Sequence, residues 1–104
     1  MTMMGRRLEL HEKLCELLGS RNVYFEPPAT IRMKYPAIVY KRETIRNEFA
    51  DNLVYKQDVA YQIVVIDQDP DSEFVEKVSK LPACRWNRHF ESDNLNHDVF
   101  VIYF

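Results

Sequence analysis

The sequence predicts an α+β fold, a mostly antiparallel β-sheet with two α-helices packed on one face. Three observations carry that prediction. Val59–Ile66 is apolar at both parities, as Val59, Tyr61, Ile63 and Val65 alternate with Ala60, Val64 and Ile66 around a lone Gln62. Only a strand inside a sheet has both faces covered in this way. Two Asp-Asn pairs, Asp51-Asn52 and Asp93-Asn94, separate strand-like runs, and these residues tolerate the backbone of a tight reversal. Two other stretches, 6–18 and 70–81, repeat apolar residues at helical spacing instead.

The elements follow in order. Leu8, Leu10, Leu14, Leu17 and Leu18 form a wide stripe with Cys15, Glu9 stands four residues before Lys13, and Gly19 ends the helix. Asn22–Glu26 is a short strand stopped by Pro27-Pro28, which cannot donate to a ladder. A loop over 27–35 carries Arg32 and Lys34. Residues 37–49 and 53–66 then form a long hairpin around Asp51-Asn52, with a bulge or bend expected at Glu43-Thr44 and a polar distal half. Asp69 is the expected cap of the second helix and Pro70 its first residue. Phe74, Val75, Val78 and Leu81 supply its apolar face, and Pro82 closes it. Cys84, Trp86, Arg88 and Phe90 alternate with polar neighbours as a half-buried strand. His97–Phe104 is apolar on both faces and belongs inside the sheet or against another subunit.

Length and composition bound the function. One domain spans residues 1–104; the net charge is -2 and 29% of residues are charged, as in ordinary soluble domains. Two glycines leave no room for a glycine-rich phosphate loop. No apolar run approaches the roughly 20 residues of a membrane span, and the first residues lack the apolar stretch of a signal peptide. Cys15 and Cys84 belong to no CxxC pair and read as buried free thiols of a reducing, cytoplasmic setting. Charge is split along the chain. Residues 1–60 carry ten bases and eight acids, residues 61–104 four bases and eight acids, and Asp67–Glu76 holds five acids without a base. Such a run is either a solvated helix start or a patch facing a basic partner.

Candidate chemistry is thin. His89, Asp93, His97 and Asp98 surround one reversal and could converge on a metal, but no HxH or HExxH spacing supports a site. Asp67, Asp69 and Asp71 begin like a calcium loop that Pro70 and the missing glycine break. His11 has no local partner and reads as a helix-face residue. Arg85-Trp86-Asn87-Arg88 is the best local case for nucleic acid, against a negative net charge. No catalytic, cofactor-binding or metal residue is assigned.

Four phrases carry a resemblance across nearly the whole chain: Tyr35-Pro-Ala-Ile-Val-Tyr40, Ala50-Asp-Asn52, Val65-Ile-Asp-Gln-Asp-Pro-Asp71 and Asp93-Asn-Leu-Asn-His97. With the order of elements, they resemble the tail terminator and tail-completion proteins of long-tailed bacteriophages and prophages. That resemblance implies a structural protein, not an enzyme, working in the virion tail after assembly in the bacterial cytoplasm. It implies a ring, commonly of six subunits, on the head-proximal end of the tail tube. Its partners would be other copies of itself, the major tail tube protein and the head–tail connector, with DNA passing through unread and no membrane involved. A head-completion or neck-connector role is the alternative within that class. A small metal-dependent enzyme using His89 and His97 is the alternative outside it. Ring contacts do not carry over from the family, so the subunit-interface candidates come from the polar hairpin and the acidic run: Arg42, Arg46, Glu48, Phe49, Asp71, Glu73 and Glu76.

Overall fold

A computed structural model describes residues 2–104, the side chain of Tyr55 excepted. The elements are α1 (Met3–Leu18), β1 (Val23–Phe25), β2 (Ala37–Ala50), β3 (Leu53–Asp67), α2 (Glu73–Ser79), β4 (Cys84–Ser92) and β5 (Leu95–Tyr103). The five strands form one sheet in the order β1-β2-β3-β5-β4. Every neighbouring pair is antiparallel except β1 with β2, which run parallel. The α+β class, the antiparallel character and the two-helix layer are therefore as the sequence predicts.

β3 is the middle strand, and its alternation explains the layering. Val59, Tyr61, Ile63 and Val65 face the helices and are at most 2% exposed. They join Ile38 and Tyr40 of β2 and Phe100 and Ile102 of β5 in one core with Leu10, Leu14, Cys15 and Leu18 of α1 and Val78 of α2. Each of these larger side chains contributes about 1.5–3 kcal/mol by leaving water. The other sheet face has no helix over it among the described residues. There Val39, Val64 and Val99 lie side by side in register, with Gln62 beside Val101. β5 runs between β3 and β4, so its two apolar faces are held inside the sheet, as expected.

Both reversals form where the Asp-Asn pairs stand, and Asp51, Asn52, Asp93 and Asn94 all adopt positive φ. The bulge also lies where expected: the β2–β3 register shifts between Arg42 and Thr44, leaving Glu43 as the extra residue.

Three local expectations fail, each for a physical reason. α1 starts at Met3, earlier than residue 6, because the Thr2 hydroxyl accepts the Gly5 amide at 3.0 Å. Its stripe is also narrower, since Leu8 is 47% exposed, and Lys13 lies over the Phe104 ring, 5.6 Å from its centre. Second, α2 is capped by Ser72, not Asp69, and Pro70 lies outside it. The Asp67 and Asp69 carboxylates are occupied in the preceding loop, accepting the Asp69 amide at 3.2 Å and the Asp71 amide at 2.9 Å. Leu81 falls beyond the helix yet still packs on the core. Third, β4 is not half-buried. Past Cys84 it is exposed throughout, Trp86 at 53% and Phe90 at 39%, because it is an edge strand. A register shift between Trp86 and Arg88 also breaks the alternation. Trp86 shares the helix-side face with Phe100, while Phe90 stacks on His97 on the other face, ring centres 4.6 Å apart.

Candidate assembly surfaces

The molecule is elongated, 52 Å along one axis and 24 by 23 Å across. The long axis is set by the β2–β3 hairpin. β5 pairs with β3 only as far as Ala60–Tyr103, and β1 pairs with β2 only over Ile38–Tyr40. Beyond Thr44–Ala60 the two strands continue alone to the Asp51-Asn52 turn, a two-stranded arm reaching past the core.

That arm corrects the expectation of a polar distal half. Ile45 is 44% exposed, Phe49 63%, Leu53 72% and Val54 53%. Phe49 stands opposite Val54 and Leu53 opposite Ala50, so large apolar side chains lie on both faces of the tip. Alternation marks these residues as apolar but says nothing about whether a core exists to receive them. The arm is tied to the body partway along: Arg6 of α1 donates to Gln57 at 3.3 Å, and Gln57 donates to Asn47 at 3.0 Å.

The other sequence candidates fall in different places. Arg46 and Glu48 lie on the arm, opposite Asp58 and Lys56. Arg42 is half-buried at the arm's root. Its guanidinium sits 5.8 Å from the ring centres of both Phe25 and Tyr61, and Arg7 lies 4.3 Å from that of Phe25. Arg42 is therefore committed in part to its own chain. The acidic residues begin at the opposite end of β3 from the turn. Lys77 of α2 lies 4.0 Å from Glu73, and Lys80 at the end of that helix lies 3.0 Å from Glu76. Two of the five acids thus have partners one turn downstream, leaving less surplus charge than a count of Asp67–Glu76 suggests. The arm and the acidic run are not brought together within one molecule.

The histidine cluster does not converge. His89 is bonded through Nδ1 to Asp98 at 3.1 Å, and the Trp86 indole N–H donates to the same carboxylate oxygen at 3.2 Å. His97 lies on the other sheet face against Phe90, its Nδ1 donating to the Leu95 carbonyl at 3.1 Å. With β4 and β5 in this register, His89 and His97 cannot share a ligand. Among the described residues no group of three His, Cys, Asp or Glu side chains is placed to hold a metal. Arg85 and Arg88 stand opposite Val101 and Val99 on the open sheet face, while Trp86 points to the other, so that segment makes no continuous basic-aromatic surface.

One polar contact was invisible in the sequence. The Tyr40 hydroxyl and His11 Nδ1 share a hydrogen bond of 2.7 Å, from the centre of the sheet to the face of α1. Burial raises the Tyr40 hydroxyl above its usual value, while burial and the Arg21 cation hold His11 below its own. The signal was His11 on an apolar helix face and a Tyr in the core strand, which only a known helix–sheet register could join. Cys15 is buried and Cys84 half-buried, and both are free thiols.

An apolar cleft of about 190 Å³ lies where α1 meets the segment after α2. Leu10, Leu81, Pro82, Ile102 and Phe104 line it, with Lys13 at its edge. No helix of the described residues is long and apolar enough to cross a membrane. No protein-family model matches the chain, and no curated protein matches it in sequence.

Proposed function

We propose that this chain is a structural subunit of a bacteriophage or prophage tail, a terminator that closes the head-proximal end of the tail tube as a ring. The observation that supports this reading most is the arm. A lone domain gains nothing from holding Phe49, Leu53 and Val54 in water at the end of a two-stranded ribbon. A subunit that inserts the ribbon into a neighbour recovers that area on assembly. The arm and the body are different surfaces, so each copy can give its arm to one neighbour and receive an arm from another, and such head-to-tail contacts close into rings when the rotation permits.

The test is biochemical and visual. The purified chain should elute as an oligomer larger than a dimer by light scattering, and electron microscopy should show annular particles. Added to polymerising tail tube protein, it should cap tubes at one end and halt growth. Binding to the head connector without capping tubes would favour the neck-connector alternative. A chain that caps nothing and forms no ring would end the structural reading.

A further inference from the structure

We propose that the apolar arm tip of one copy seats in the cleft between α1 and the Leu81–Ala83 segment of the next copy. This inference rests on the ring reading and names the contact that would build it. The occupant is a second copy of this chain because the tip and the cleft match in size, polarity and charge. The tip offers exposed Phe49 beside Val54 on one face and Leu53 on the other, all next to the turn. The cleft holds about 190 Å³, and a cavity of about 150 Å³ lined by Leu, Ile and Phe accepts a benzene ring. Leu10, Ile102 and Phe104 line it from the helix side of the sheet, with Pro82 and Ala83 exposed at its edge.

Charge agrees with shape. From Phe49 to Val54 the only ionisable side chain is Asp51, at the apex of the turn. The charged side chain lining the cleft is Lys13. A carboxylate arriving with the apolar tip therefore meets the Lys13 cation, which orients the approach as well as stabilising the seat. The arm cannot fill its own cleft. Thr44–Ala60, where the arm leaves the body, is the register position beside Tyr103, and the strands run away from there to the tip. Knob and socket thus lie apart on one chain and face each other only between copies.

The experiment uses the full chain and light scattering over a concentration series. A knob variant, Phe49→Asp with Leu53→Asp, and a socket variant, Lys13→Glu with Ala83→Asp, alter exposed side chains, and thermal melts confirm that both fold. Each should weaken assembly by about 30-fold or more, the loss typical of a hot-spot aromatic anchor. Mixed together, the two variants should form dimers and nothing larger, because each pair keeps one working knob and one working socket. Asp51→Lys and Lys13→Glu should each weaken assembly, and the two combined should restore it. Wild-type rings that persist in the knob or socket variant, or a double charge reversal no better than the singles, would overturn the proposal while leaving the ring intact. A wild-type chain that stays monomeric at every concentration would overturn the ring reading itself.

Discussion

At the scale of single residues, the His11–Tyr40 contact makes a prediction about pH. The folded chain holds the imidazole below its ordinary 6.5 through burial and Arg21, so the unfolded chain takes up the proton more readily. Stability from this site is therefore full at neutral pH, declines as pH falls through about 6.5, and levels off below the folded-state value. His11→Gln, whose amide can still pair with the Tyr40 hydroxyl, should lose less melting temperature than wild type between pH 7.5 and pH 5. Equal losses would show that His11 does not carry the effect. Cys84 is a second case. Burial pushes its thiol up to about 11, so about one molecule in a thousand holds the thiolate at pH 8. Greater thiolate nucleophilicity offsets part of that deficit. In a Cys15→Ser background, an aromatic disulfide reagent should modify native Cys84 at least about tenfold more slowly than the unfolded chain. Equal rates would place Cys84 in open solvent.

At the scale of elements, α2 offers a direct contest between two caps. Ser72→Ala removes the hydroxyl that accepts the Phe74 amide at 3.3 Å and should cost about 1 kcal/mol in urea denaturation. Asp69→Asn, which keeps an oxygen for the Asp71 amide, should cost less; the reverse order would restore Asp69 as the cap. Asp69-Pro70 is a strong helix-start signal locally, and it failed because Asp67 and Asp69 fold the preceding loop on themselves. Elsewhere the chain was legible. β3 announced its central place through apolar residues at both parities, and the Asp-Asn pairs announced their turns through the one backbone region they favour. What stayed hidden depended on partners far along the chain: the parallel pairing of β1, the exposure of β4 at an edge, and the absence of any covering for the arm tip. Phe49 was legible as a candidate contact, but Leu53 and Val54 read as ordinary strand residues. The cleft, assembled from α1, the segment after α2 and β5, left no local pattern.

At the scale of the whole molecule, charge and shape divide along the long axis, with the apolar tip at one end and the acidic loop at the other. If the acidic run serves a neighbour, Asp71→Gln, Glu73→Gln and Glu76→Gln together should weaken assembly, more strongly at low salt, where exposed charges act over a longer range. If assembly is unchanged at every salt concentration, the run is a solvated helix start with Glu73 and Glu76 held by Lys77 and Lys80. The arm's lack of a third strand has a consequence in time as well as in space. A two-stranded ribbon in water is marginally stable by itself, so beyond Thr44–Ala60 its hydrogen bonds should open far more often than those of β3 beside β5. Before assembly, amides near the turn should exchange within seconds and trypsin should reach Arg46 and Lys56. After assembly, the same bonds should be shielded. The arm would then serve as a clock: the rate at which its protection appears reports how fast subunits join, without any label attached to the chain.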